Sequence, residues 1–167
     1  MDLDEFVLGA AGHEACIGAH AEIPAPLIGP VGVELRVIDG ARMKTLDTVF
    51  GAFAEVWNFP PRFAHNRSKD AFNDWMRDFD NLTNPDLSKP PARGYLTEII
   101  NAQALLAEQP DEFSWFAHKI PFYRDYYRDG LDPPAAFGVL LSAPVDQLSK
   151  VRERWVDAGV QVATVAV

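Results

Sequence analysis

Cysteine is almost absent from this chain. Cys16 is the single one in 167 residues, so no intrachain disulfide can form and a disulfide scaffold is excluded. Basic residues are scarce as well: 15 Lys and Arg face 24 Asp and Glu, for a net charge of −9. Such a surface repels phosphate backbones and anionic lipid, so neither nucleic acid nor membrane is the expected partner. A basic partner suits it better. Long apolar runs are missing; none approaches the ~18 residues that a membrane-spanning helix needs. The opening Met1-Asp2-Leu3-Asp4-Glu5 is acidic where an export signal requires Lys or Arg. The expected location is therefore the cytoplasm. What is present, 48% hydrophobic and 23% charged residues, is the composition of a globular domain.

Along the chain, residues 1–32 are poor in charge and rich in Gly, Ala and Pro. They are expected to form a loosely ordered N-terminal extension with room for one short strand. Val33 to Ile38 alternates apolar and charged residues like a strand with one wet face. Thr45 can cap a helix running to about Asn58, which Phe59-Pro60-Pro61 ends. A polar loop from Arg62 to Ser68 leads to a helix over about Lys69–Leu82, then to a loop over 84–94.

Tyr95 to Asn101 has the residues of a strand; 102–107 and 122–127 are ambiguous. Pro110 and Asp111 open a helix that Pro121 should break or kink. Ala136 to Ala143 is an unbroken apolar run, which suits a buried strand. Val145 to Ala158 is a helix closed by Gly159, and 160–167 a terminal strand. Strands alternating with helices predict an α/β fold, with a small, mostly parallel sheet of three or four strands flanked by helices. The main domain is expected over 33–143, with 144–167 as a C-terminal helix and strand packed on it. The four tryptophans, Trp57, Trp75, Trp115 and Trp155, lie on apolar helix faces and are assigned to the core.

The helix over 69–82 carries the functional argument. At 100° per residue, Ala71, Phe72, Trp75, Met76 and Phe79 share one face, which reads as core. Asp70, Asp74 and Asp78 form a second stripe, roughly opposite. Like charges at i, i+4 cost a helix about 0.2–0.5 kcal/mol per pair. The stripe thus costs a little stability and packs nothing. Between 70 and 86 the acids Asp70, Asp74, Asp78, Asp80 and Asp86 face Arg77 alone. Three readings stay open: a solvated face, a docking surface for a basic cleft, or paired carboxylates doing acid–base work.

The succession of Val37-Ile38-Asp39-Gly40, a helix, Phe59-Pro60-Pro61-Arg62-Phe63-Ala64-His65-Asn66 and Asp70-Ala71-Phe72-Asn73-Asp74 resembles the barstar family of ribonuclease inhibitors. The resemblance spans about 34–143 and is sharpest over 57–79. It departs from the family pattern at Ala64, where Gly is favoured, at Arg62, often aromatic, and in two extra residues between Asn66 and Asp70.

The resemblance implies a parallel sheet flanked by helices, whose loop and following helix start plug a small secreted ribonuclease. Asp74 would then take the place of a substrate phosphate and Asp70 would pair with a nearby basic group. Asn66, Phe63 and Asn73 match loop and helix contact positions. His65 and Asp78 would adjoin them. The implied protein is no enzyme: it needs no cofactor or metal, is monomeric when free, and binds a basic ribonuclease or toxin stoichiometrically. One alternative is an interaction or immunity module on the same fold with a non-ribonuclease partner. A further one is a small hydrolase using the aspartates or His65, which would need a concave pocket around them.

Other groupings are weaker. His13, Cys16 and His20 have ligand-like spacing with Glu14 and Glu22 nearby, but no second Cys or His pair completes a structural zinc set. The aromatic string Phe122, Tyr123, Tyr126 and Tyr127 is read as packing against the core.

Overall fold

The computed structural model describes residues 1–82 and 90–167. In chain order its elements are α1 (Leu3–Ala11), β1 (Ile17–Ala21), β2 (Val33–Asp39), α2 (Leu46–Val56), α3 (Lys69–Met76), α4 (Phe79–Leu82), β3 (Gly94–Ile100), α5 (Phe113–Gly130), β4 (Ala136–Ala143), α6 (Val145–Asp157) and β5 (Ala163–Thr164). Short 3-10 turns occupy Gly40–Arg42, Pro61–His65, Ala102–Ala104 and Pro110–Glu112.

The strands form one sheet in the order β2-β3-β4-β1-β5, and every neighbouring pair is parallel. The connections β2 to β3, β3 to β4 and β4 to β5 all step the same way across the sheet. Right-handed crossovers then put their helices on one face. Aromatic packing on that face agrees: Trp57, Tyr123 and Tyr127 all lie against Phe137 of β4, and Trp155 of α6 meets Phe113 and Phe116 of α5. This α/β architecture is the expected one, with five strands rather than three or four.

The opposite face carries α1. Its start is a capping box, in which Asp2 accepts from the Glu5 N–H at 2.8 Å and Glu5 accepts from the Asp2 N–H at 2.9 Å. Phe6, Val7 and Ala10 are buried. Glycines in the strands let this helix approach closely. A Cβ on Gly18 would stand 2.7 Å from Val165 and 3.2 Å from the Phe6 ring.

Residues 1–32 therefore differ from the loose extension expected of them. They supply a capped helix and a strand, β1, that lies between β4 and β5 inside the sheet. Composition misled here because Gly and Ala, which gave the segment the look of a loose tail, are the small residues that close helix–sheet packing requires.

The expected helix over 69–82 is two pieces. Side chains occupy the carbonyls of its last turn: Arg77 Nε donates to the Asn73 carbonyl, and from α5 the Tyr127 hydroxyl to that of Met76. Arg77 N–H turns to Asp74 instead. Conversely, α5 runs through Pro121 and absorbs the ambiguous 122–127 segment. A helix-interior proline costs ~3 kcal/mol. Burial of Phe116, Ile120, Tyr123 and Tyr127, at ~1.5–3 kcal/mol per large side chain, exceeds that. Of the tryptophans, Trp57 and Trp155 are buried and Trp75 and Trp115 pack half-buried against the core. The terminal strand pairs over two residues only, beside β1. Most of the expected 84–94 loop, and Asp86 with it, lies outside the described residues. Among the described residues no helix is long and apolar enough to cross a membrane.

Candidate functional site

The segment from Pro61 to Asp74 turns one edge to solvent and anchors the other in the core. Pro61, Arg62, Ala64, His65, Asn66, Arg67, Asp70 and Asp74 are exposed. Phe63 points inward, edge-on to Phe59 at 5.0 Å and to Phe50 at 6.4 Å between ring centres. Phe72, on the buried side of α3, stacks on Phe50 at 4.7 Å and meets Phe53, Phe59, Trp115 and Tyr123. Phe63 is thus buried beneath the 3-10 turn rather than presented at the loop surface.

Polar contacts fix the loop at both ends. Arg67 donates to the Asp47 carboxylate at 3.2 Å, tying the loop to the first turn of α2. Ser68 caps α3 by accepting from the Ala71 N–H at 3.1 Å. The Arg62 guanidinium lies over the Trp75 ring at 4.8 Å. Lys69 reaches Glu112 at 2.6 Å and stands 5.1 Å above the Trp115 ring.

The acids are less isolated than the stripe suggests, since Arg62, Arg67 and Lys69 flank them. Each of those cations, however, is held by a partner of its own. Asp74 receives one bond from Arg77 at 2.9 Å while its side chain stays 74% exposed. No described hydrogen bond or ion pair engages Asp70, and none joins His65 to Asp70. The two carboxylates project from one face of a two-turn helix at i, i+4.

Asp78 does not extend that stripe. It lies half-buried in the break between α3 and α4, because the helix geometry that would align it ends at Met76. Asn73 is half-buried, and its side-chain oxygen accepts from the Tyr123 hydroxyl. Burial pushes the Tyr123 pKa far up, so it remains a donor. Asn73 is thereby pinned to α5, and its amide is partly committed before any partner arrives.

The loop supports Arg67, Ser68 and Tyr123 were not singled out as site residues. Only Ser68 left a local signal, as a helix cap. The partners of Arg67 and Tyr123 lie 20 and 50 residues away in sequence, so no local pattern marks them. Among the described residues, cavities of about 180–410 Å³ open elsewhere, and none of these is lined by His65, Asp70 or Asp74. Among the described residues no cluster of His, Cys, Asp and Glu is arranged to hold a metal ion. His13 instead faces Arg128, Cys16 is buried, and His20 lies in the sheet.

The described residues thus form a parallel α/β sheet with an exposed acidic loop-and-helix edge. The family model for barstar, the barnase inhibitor, matches residues 33–137, and the chain belongs to that family. No curated protein and no solved structure matches it.

Proposed function

We propose that this protein is a stoichiometric inhibitor of a small basic ribonuclease, acting as a toxin-immunity factor. The supporting observation is the pair of exposed carboxylates, Asp70 and Asp74, on a pre-shaped helix within the family-matched segment. A ribonuclease cleft is cationic because it binds RNA phosphates. Asp74 enters the phosphate position and cannot be cleaved, since it offers no phosphodiester. Asp70 pairs with a second cation of the cleft, and His65 and Asn66 contact its rim. Phe63 and Asn73 contribute by holding the loop and helix in shape, and Asp78 by its charge beside them.

Rigidity matters energetically. The loop is anchored by Phe63, Arg67 and Ser68, so little conformational entropy is lost on docking. The net charge of −9 speeds encounter with a basic enzyme, and the association rate falls as salt rises. The protein acts in the cytoplasm, is monomeric when free, and uses no cofactor and no catalysis of its own.

The test is inhibition of a barnase-like ribonuclease, and of a nuclease encoded beside this protein, by wild type and Asp74→Ala. One-to-one inhibition that weakens in salt and is largely lost in the variant supports the reading. Absence of inhibition across that panel overturns it. A second reading, the same module against a non-ribonuclease partner, is favoured by one observation: Arg62 and Arg67 stand exposed beside the acids, giving the edge mixed charge.

A further inference from the structure

A second carboxylate site lies on the other face of the sheet, away from Asp70 and Asp74. Glu98 of β3 is only 4% exposed. It points to the α1 side, alternate to Thr97, which bonds Trp57 on the helical side. A buried carboxylate is costly unless donors surround it. Among the described residues its one close cation is His20 of β1, with Nε2 at 3.4 Å from Oε1. That contact lacks the alignment of a hydrogen bond, and His20 Nε2 has no other partner. The other ring nitrogen is spent on the Ala21 carbonyl at 2.9 Å.

The carboxylate opens into a groove of about 410 Å³, within the ~300–1,000 Å³ range of small-molecule sites. Its floor is apolar and incompletely covered: Val37 is 46% and Ile100 36% exposed. Ser142 and Asn101 add a hydroxyl and an amide, and Glu22 adds a second carboxylate at the rim. Asn101 is held by the Asp39 carboxylate at 2.9 Å. Among the described residues no Lys or Arg lines the groove.

The topology accounts for its position. β4 and β1 are neighbours, with Ser142 opposite His20. The chain leaves β1 toward β2 and leaves β4 toward β5, in opposite directions across the sheet. Outside the carboxyl ends of two such parallel strands a crevice must open, and this is where ligands of open α/β sheets bind.

We propose that this groove binds a small organic cation, a primary ammonium on a short apolar chain. The ammonium donates to Glu98 and Ser142, and the chain lies over Val37 and Ile100. The site does not depend on the inhibitor reading.

The probe is n-butylammonium, titrated into the full-length protein and followed by amide chemical shifts, with n-butanol as the uncharged control. Saturable shifts confined to the groove residues are expected, with n-butanol weaker by about tenfold or more. Glu98→Gln should weaken n-butylammonium to a similar degree. Val37→Phe, at an exposed position that tolerates the change, should block the groove without unfolding the protein. Asp74→Ala should bind as wild type. No saturable shift up to ~0.1 M, far above a millimolar Kd, overturns the proposal. So does binding that Val37→Phe leaves unchanged.

Discussion

Asp74 and Glu98 carry the same group on opposite sides of one sheet, in opposite surroundings. The Asp74 side chain is 74% exposed and shares one bond with Arg77. Glu98 is 4% exposed and faces His20. The Asp74 carboxylate is open to water, and its field reaches a partner across solvent, screened by salt. Glu98 has no such support. A carboxylate so buried calls for donors within a few ångströms, and His20 stands beside it. On the two proposals above, the first acid acts on another macromolecule and the second on a small cation.

The contrast can be broken most strongly at the support under the exposed acids. Phe72→Ala removes the ring that Phe50, Phe53, Phe59 and Trp115 surround. It should cost about 3–5 kcal/mol of stability, read as a lowered urea midpoint. A loss below ~1 kcal/mol would mean that α3 is not seated as described.

Asp74→Ala separates function from stability. Inhibition of the cognate nuclease should weaken by ~2 kcal/mol or more, about thirtyfold, while the urea midpoint moves by no more than ~0.5 kcal/mol equivalent. Equal losses in both measurements would place Asp74 in the fold rather than in the contact.

The buried side should respond to pH. Burial depresses the His20 pKa, but Glu98 and the Ala21 carbonyl outweigh it, and the net direction is upward. A base whose pKa rises on folding stabilises the protein fully below its unfolded value, ~6.5. That contribution disappears as pH rises through the higher folded value. Wild type should therefore lose stability as pH rises above ~6.5 in urea titrations. His20→Gln should flatten the profile there; an unchanged profile in the variant would assign the loss to other groups.

The smallest effect is kinetic. Burial pushes the Cys16 thiol up to about 11, with Arg124 opposing. Iodoacetamide at pH 8 should leave native Cys16 largely unmodified and label it in urea, because the thiolate is the nucleophile. Rapid labelling of the native protein would show that the β1 end opens readily.

Much of the fold was legible locally. The alternation in 33–38, the Thr45 cap, the apolar run 136–143 and the Gly159 stop each mark an element by backbone geometry and side-chain period. The core face of α3 was legible in the same way. The Asp2–Glu5 capping box was present too, but its apolar residues stand among Gly and Ala that resemble a loose tail.

Of the candidate site, the exposed pair Asp70 and Asp74 followed from helical spacing, and the family from the residues around it. The inward turn of Phe63 did not, because packing on Phe50 and Phe59 in the core sets it; nor did the tie of Asn73 to Tyr123 or the helix break before Asp78, whose α5 partners lie 50 and 51 residues away. The same holds for β1 between β4 and β5 and for the His20–Glu98 pair. Periodicity and capping, which act over a few residues, determined the elements and the charged stripe. Only the tertiary structure decided which acids face solvent and which are buried, because parallel strand order and side-chain burial are set by contacts across the whole chain.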